Sequence, residues 1–494
     1  MRLTLLHFND VHGRLDQLPR LFTLIQRERA EALALGRAVL LLDGGDSSDR
    51  KTWESDITKG RANFALLEAM GVQASVVGNG EALQWGRHAL DRLVAAVHFP
   101  VLAANLVDCA DPSRLAASGL KPSLVLDLDG YRLGLVGVTA IFRGGYDRFG
   151  YQSIDPLPVL RREISHLRSQ GAQTLILLSH LGCILDPAIK RADIWGDENV
   201  PADCPEIDVI IGAHTHVAIN PPVRVGNAVI AQAGDYGRYL GRLDLDLDDA
   251  TGRVCQFSGR LIPCDDRVPP DPTIRATLDL VREEAARLLD TQIGAASRDL
   301  PHFFDRPSPF ANHVADALRD ICRADLALFF EGFAFRGLEA GPITRRDLYE
   351  ALPGSTHVTA AEVSGAQIKR MVERMLASKY RLESFDPKRG EPPLGLPAHS
   401  GNVQLHYESP SPSGRGDRGE GEHPIPIECL IDGAPLDPAR RYRLASTFFT
   451  LSPITDDPEY DYIGLEPGQI VENIRVEDVL WEIVEDWMKA KGSV

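Results

Sequence analysis

Six times in the first half of the chain, an apolar run stops abruptly near an aspartate, asparagine or histidine. The run that most constrains the fold is Val209-Ile-Ile-Gly-Ala-His-Thr-His-Val217. A short β-branched stretch without polar alternation is what a strand buried on both faces looks like. At its end the backbone must turn, and His214 and His216, one residue apart, then share one side of the turn. Neutral imidazole suits zinc, iron, nickel and copper, and manganese where carboxylates join it. A single His-x-His pair is weak, since many such pairs are surface or core histidines. The other five runs give this one its meaning.

Leu3 to Phe8 ends at Asn9-Asp10-Val11-His12, and Ala38 to Asp43 at Gly44-Gly45-Asp46. Ala74 to Val77 runs into Gly78-Asn79-Gly80-Glu81, Thr174 to Leu178 into Ser179-His180, and Ala228 to Ala231 into Gln232-Ala-Gly234-Asp235. Taken singly, each has a plain structural explanation, because Asn-Asp and Asn-Gly are turn formers. Taken together they place Asp10, His12, Asp46, Asn79, His180, His214 and His216 at strand ends. The C-terminal ends of strands converge on one edge of an α/β core, where ligands generally bind. Two carboxylates, four imidazoles and an amide make a full inner shell for two divalent metal ions. A mixed shell of this kind accepts manganese, zinc, iron or cobalt. Asp46, alone after its glycine pair, is suited to bridge both ions.

Composition narrows the class. The formal net charge is −17, whereas a nucleic-acid binder shows a basic stripe, so no nucleic-acid partner is expected. A small anionic substrate remains compatible, because a bound metal supplies local positive charge. No apolar run approaches the ~20 residues of a membrane span, and no membrane partner is expected. Seven cysteines form no CxxC or close pair, which is the pattern of scattered reduced thiols. The first ten residues lead straight into a core strand, without an apolar leader or a small-residue cleavage site. These features predict a cytoplasmic protein.

At 494 residues the chain is long enough for two or three domains. A proline-rich stretch near 265–271 marks a boundary, closing a first body over residues 1–268. Asp271-Pro272 then opens a helix, and Ile274, Leu278, Val281, Ala285 and Leu288 keep helical spacing. This predicts a linker helix over 271–294, ended by Gly294. The second body, 300–494, is predicted to hold helices at 311–323, 345–352 and 364–377, and strands near 325–330 and 442–448. A last amphipathic helix spans Val476 to Met488. Within this body, 407–425 is rich in Ser, Pro, Gly and charge, and is expected to be a disordered insertion. In the first body, the Leu-Asp alternation from Leu243 reads as a half-buried strand with solvated acids.

The strand-end set Asp10-Val-His12, Gly45-Asp46, Gly78-Asn79, Ser179-His180 and Gly212-Ala-His214-Thr-His216 resembles the calcineurin-like metallophosphatase superfamily. Over the whole chain the likeness is to its 5′-nucleotidase family. Gly60-Arg-Ala-Asn63 and the N-terminus resemble the cytoplasmic, YunD-like branch. The resemblance implies an α/β protein with a four-layer αββα catalytic domain, a linker helix and a smaller α+β substrate-binding domain. It further implies hydrolysis of a small phosphorylated substrate, a nucleotide among the candidates, by a metal-bridged hydroxide and not a side-chain nucleophile. Asp10, His12, Asp46 and His216 would hold one ion, and Asp46, Asn79, His180 and His214 the other.

The chain departs from the family pattern in two places. Family members read Gly-Asn-His-Glu-Phe-Asp, where the His, oriented by the Asp, stabilises the transition state or the leaving group. Here the string is Gly78-Asn79-Gly80-Glu81-Ala82-Leu83, and losing one such donor typically costs ~10²–10³ in rate. Glu81 and His88 are nearby candidates for a substitute. In the second body the family arginine aligns with Phe335, leaving Arg336 one place off, and Phe449 as the residue able to stack on a base. Two readings stay open: a phosphoester hydrolase, or a relative that binds metals and a ligand without phosphatase turnover.

Overall fold

A computed structural model of the chain describes residues 1–142, 145–183, 195–304, 306–377, 396–407, 427–451, 463–465, 469 and 471–492. Residues 408–425 of the expected insertion lie outside the described residues. The chain divides into two compact units, Met1–Ala286 and Arg287–Val494. No helix among the described residues is long and apolar enough to cross a membrane.

In the first unit two six-stranded sheets stack face to face. One orders its strands Val254–Pro263, Tyr239–Leu247, Arg2–Phe8, Ala38–Asp43, Ala74–Val76, Val101–Leu102. The other runs Val223–Val225, Ala228–Ala231, Val209–Ile211, Thr174–Ser179, Tyr131–Val138, Ser123–Leu128. The continuous apolar runs are the inner strands of these sheets and pair in parallel. They lack polar alternation because both of their faces are covered. Leu3, Leu5, Leu40 and Leu42 from one sheet meet Leu133, Ile176, Val209 and Ile211 from the other in one core. On the outer face of the second sheet, Leu160, Ile164 and Leu167 of the helix Pro156–Ser169 pack on Val136, Leu175 and Ile210. The helix Leu18–Ala34 lies against the first sheet. The layers are therefore helix, sheet, sheet, helix, and parallel pairing brings the strand ends to one edge.

The second unit is an α+β body. Its five-stranded sheet orders Pro397–His399, Leu326–Phe330, Arg441–Thr447, Val358–Ser364 and Val471–Ile474. The helix Gly365–Ala377 seals one side, with Ile368, Met371, Val372 and Met375 packed on Leu326, Leu328 and Leu444.

Several boundaries differ from the sequence reading for identifiable reasons. The helix from Pro272 stops at Leu289, capped at its start by Asp271, whose carboxylate accepts from the amides of Thr273 and Ile274. Gly294 does not end it, but sits in the strand Gln292–Ala296 at a shift in pairing register. Gly78-Asn79-Gly80 is not a free turn, because Asn79 begins the helix Asn79–Gln84, with Glu81 reaching back to the Gly78 amide. Asn105 separates the strands Val101–Leu102 and Leu106–Asp108, its side-chain amide bonding the backbone of Thr139 in both directions. The final helix spans Leu480–Lys491, starting where Glu482 accepts from the Val479 amide. The acids of the Leu-Asp strand are not simply solvated: Asp244 pairs with Arg242, and Asp246 with Arg37.

Candidate metal centre

The seven residues from the strand ends gather at one edge of the first unit, and backbone geometry sets most of them in place. Asp10, His12, Asp46, His214 and His216 all have positive φ, between 49° and 71°. Non-glycine residues rarely adopt that region, and it concentrates at functional sites. The loops that hold these conformations are laced together. The amides of Asp10 and His12 donate to the carbonyls of Gly45 and Asp46, at 2.9 Å each. Asp10 is also tied to the far sheet, its carboxylate accepting from the His214 amide (2.9 Å) and its carbonyl from the Tyr236 amide (2.7 Å). Asn9 completes the lacing, its side chain bonding Asp10, the Gly234 carbonyl and the Ala233 amide.

Two sets of donor atoms result: Asp10, His12 and His216 in one, and Asp46, His180 and His214 in the other, each set lying within 4.8 Å. In the first, Nε2 of His12 and Nε2 of His216 are 3.0 Å apart, and Asp10 Oδ1 is 3.4 Å from His216 Nε2. In the second, His180 Nε2 lies 3.3 Å from Asp46 Oδ2 and 3.3 Å from Asn79 Oδ1. Asp46 Oδ2 is also 3.8 Å from His12 Nε2, so one oxygen touches both sets.

The outer nitrogens are occupied. His12 Nδ1 meets Asp49 at 2.9 Å, His216 Nδ1 meets Asp235 at 3.1 Å, and His180 Nδ1 meets the Gly44 carbonyl at 2.8 Å. An Nδ1–H donated outward leaves Nε2 bare and aimed inward, which is how a metal-ligating histidine is oriented. Asp10 Oδ1, buried, has no hydrogen-bond partner. An orphaned carboxylate oxygen beside two converging imidazole nitrogens fits a divalent cation.

The charges agree. Burial opposes ionisation of Asp46, but the neighbouring His180 and His12 outweigh it and hold the carboxyl well below its usual range. His180 is raised in turn, its burial overcome by Asp46, so its Nε2 holds a proton toward Asp46 that a cation bound there would displace. His214 is pushed down to about 4, first by burial and then by the His180 charge, which keeps its imidazole neutral. Glu81, one of the two suggested substitutes, is instead a brace: its carboxylate accepts from the amides of Asp46, Ser48 and Gly78. Burial, reinforced by the Asp46 charge, pushes it up to about 8. Asp197 braces the next strand end by accepting from the Ser179 hydroxyl, and burial raises it to about 8.

Sequence reasoning did not single out Asn9, Asp49 or Asp235 as part of the site. Asp235 carried the same signal as the ligands, an acid closing an apolar run, but Asp49 had none beyond its closeness to Asp46. In the second unit, Arg336 is exposed and paired with Asp347 and Glu350 at 3.1 Å each. Phe449 is half-buried in the short helix Phe448–Leu451, its ring 5.8 Å from Phe333.

Residues 3–218 match the family described as calcineurin-like phosphoesterase, and residues 289–453 match the 5′-nucleotidase C-terminal domain. The chain is 26% identical over 377 residues to the metallophosphoesterase YunD of Bacillus subtilis, covering 75% of this chain and 77% of YunD. It is 30% identical over 319 residues to a 5′-nucleotidase of Diplobatis ommata, covering 59% of this chain and 54% of the relative. The chain thus spans about half the length of that relative. The solved structure of Haemophilus influenzae NAD nucleotidase, NadN, shares the fold with a TM-score of 0.58 at 16% identity, over 100% of this chain and 97% of that one.

Proposed function

Since the chain belongs to the calcineurin-like phosphoesterases with a 5′-nucleotidase C-terminal domain, we propose that it hydrolyses nucleotides or similar small phosphates with two divalent metal ions. Metal-dependent phosphoester hydrolysis is the chemistry of that family. The observation that carries the two-ion reading is the pair of donor sets joined through Asp46 Oδ2. When bound, such ions supply a water-derived nucleophile at neutral pH and positive charge to clamp the phosphoryl oxygens.

The protein's own residues do the rest. His12, His180 and His216 present Nε2 inward because their outer nitrogens are held. His214 stays neutral and Asp46 ionised, the forms a ligand needs. Glu81 fixes the Asp46 loop through its three amide bonds. In the second unit, Arg336 and Phe449 are the residues offered for substrate contact. The seven cysteines are thiols rather than disulfides, which supports a cytoplasmic location as part of this proposal.

Phosphate release from a panel of nucleotides and phosphomonoesters tests the reading, using metal-depleted protein re-supplied with Mn²⁺, Zn²⁺ or Co²⁺. Turnover that depends on metal and is abolished by His214→Ala is the expected result. Two bound ions with no turnover on any substrate would instead identify a metal-binding relative without phosphatase activity.

A further inference from the structure

Three cations gather on one aromatic ring at the rim of the metal centre. The Tyr236 ring packs 5.7 Å from the ring of His12 and 5.6 Å from that of His216. Over it lie the Arg14 guanidinium at 5.4 Å, the Lys51 ammonium at 5.7 Å and the Arg238 guanidinium at 6.0 Å. Attraction to the ring's electron-rich face accounts for part of this. It does not account for three positive charges converging on one ring in a chain of net charge −17.

Their partners tell the three apart. Lys51 pairs with Asp49, and Arg238 with Asp235. Those are the two carboxylates that orient His12 and His216, so both cations are neutralised where they stand. Arg14 is different: its side chain is exposed and, among the described residues, has no ion pair and no side-chain hydrogen bond. Its base is nevertheless fixed. The Arg14 amide donates to the Val11 carbonyl, and the preceding Gly13 amide to the Ser47 carbonyl, at 3.1 Å each. An uncompensated guanidinium thus rises from an anchored loop and lies over the ring that packs on His12 and His216.

We infer that Arg14 reads a second phosphate of the substrate, next to the phosphoryl group that is cleaved. The site then favours nucleoside diphosphates and similar polyanions over simple phosphomonoesters. Arg14 is not a stand-in for an imidazole at position 80, because a side chain there would meet the Ser48 carbonyl and Asp46 Oδ1, whereas Arg14 lies over Tyr236. A guanidinium fork matches two phosphate oxygens at once, which a lysine cannot do. This inference rests on the hydrolase reading above.

Calorimetry on the metal-loaded protein tests it with two probes that the enzyme cannot cleave, methylphosphonate and methylenediphosphonate. Arg14→Gln is expected to lose about 10- to 100-fold in affinity for methylenediphosphonate, the worth of a charge-assisted bond. Its affinity for methylphosphonate should fall much less, and Arg14→Lys should recover part of the difference. Equal weakening of both probes, or no change in either, overturns the inference. If no substrate is turned over, the hydrolase reading fails, while the binding difference still decides the role of Arg14. If substrates are turned over but Arg14→Gln binds both probes as the unaltered protein does, only the role of Arg14 fails.

Discussion

His12 and His216 point their Nε2 atoms at each other across 3.0 Å, although they are 204 residues apart in the chain. Two lone pairs cannot stay at that separation without a shared proton or a cation between or beside them. The facing pair is held from behind by Asp49 and Asp235, so the fold sets two ring nitrogens at a distance that a shared proton or a cation makes favourable.

Metal stoichiometry should therefore report the wiring of the site. Because Asp46 Oδ2 reaches both donor sets, Asp46→Ala should lower binding at both ions. His216→Ala should weaken the Asp10 set and leave the other nearly intact. Elemental analysis after dialysis against limiting Mn²⁺ separates these outcomes. Equal losses in the two variants would remove Asp46 as the bridge.

Asp49→Ala and Asp235→Ala test the backing carboxylates. Each fixes the ring of a candidate ligand from behind. Such partners are typically worth about 10- to 100-fold in metal affinity. Titration with a chromophoric chelator should show that loss, while far-UV circular dichroism stays unchanged. Unaltered affinity would mean that the rings are oriented by packing alone.

Gly80→His would restore the family's residue, yet it should not restore any activity lost with it. A side chain built at position 80 runs into the Ser48 carbonyl and comes within 3.1 Å of Asp46 Oδ1. The loop has closed over the space an imidazole would fill. Forcing a side chain into packed surroundings typically costs ~1–3 kcal/mol, so the variant should melt earlier and turn over no faster. Faster turnover with an unchanged melting temperature would show that the loop reopens at no cost.

His7 gives the pH prediction. It is buried, with Nδ1 unpartnered, and burial pushes its pKa down from 6.5 to about 4. Below 6.5 the unfolded chain takes up a proton that the folded chain refuses until about 4. Stability is therefore lost as pH falls through this window, by on the order of 3 kcal/mol from this residue. Chemical denaturation of His7→Leu across the window should show a shallower fall than the unaltered protein. Parallel curves would mean that His7 is protonated in the fold.

The legible part of this protein was the part written as apolar runs. Strands such as Thr174–Ser179 and Val209–Ile211 are buried on both faces, so their composition announces them, and the chemistry sits where each run stops. All seven candidate ligands lie at or just past such ends. The sequence did not reveal what depends on contacts between distant loops. Glu81 follows Asn79 by two positions and looked like a possible donor, but it points back into three amides. Asp49 reads as a turn acid until His12, 37 residues earlier, is laid against it. The end of the helix at Leu289 was overrun because Gly294, a plausible stop, is used by a strand instead.

Asp10 stands where the two sheets meet, bonded to the Gly45 carbonyl on one side and to the His214 and Tyr236 amides on the other. It works as a rivet as well as being a candidate ligand. Of these bonds only the one from the His214 amide uses the Asp10 side chain. A descendant without a metal site would therefore keep the backbone part of the joint and lose only that bond if the aspartate changed. Retention of the aspartate in such descendants would then record the His214 bond, and His180, whose ring bonds the Gly44 carbonyl of the other sheet, would have the same mechanical reason to stay.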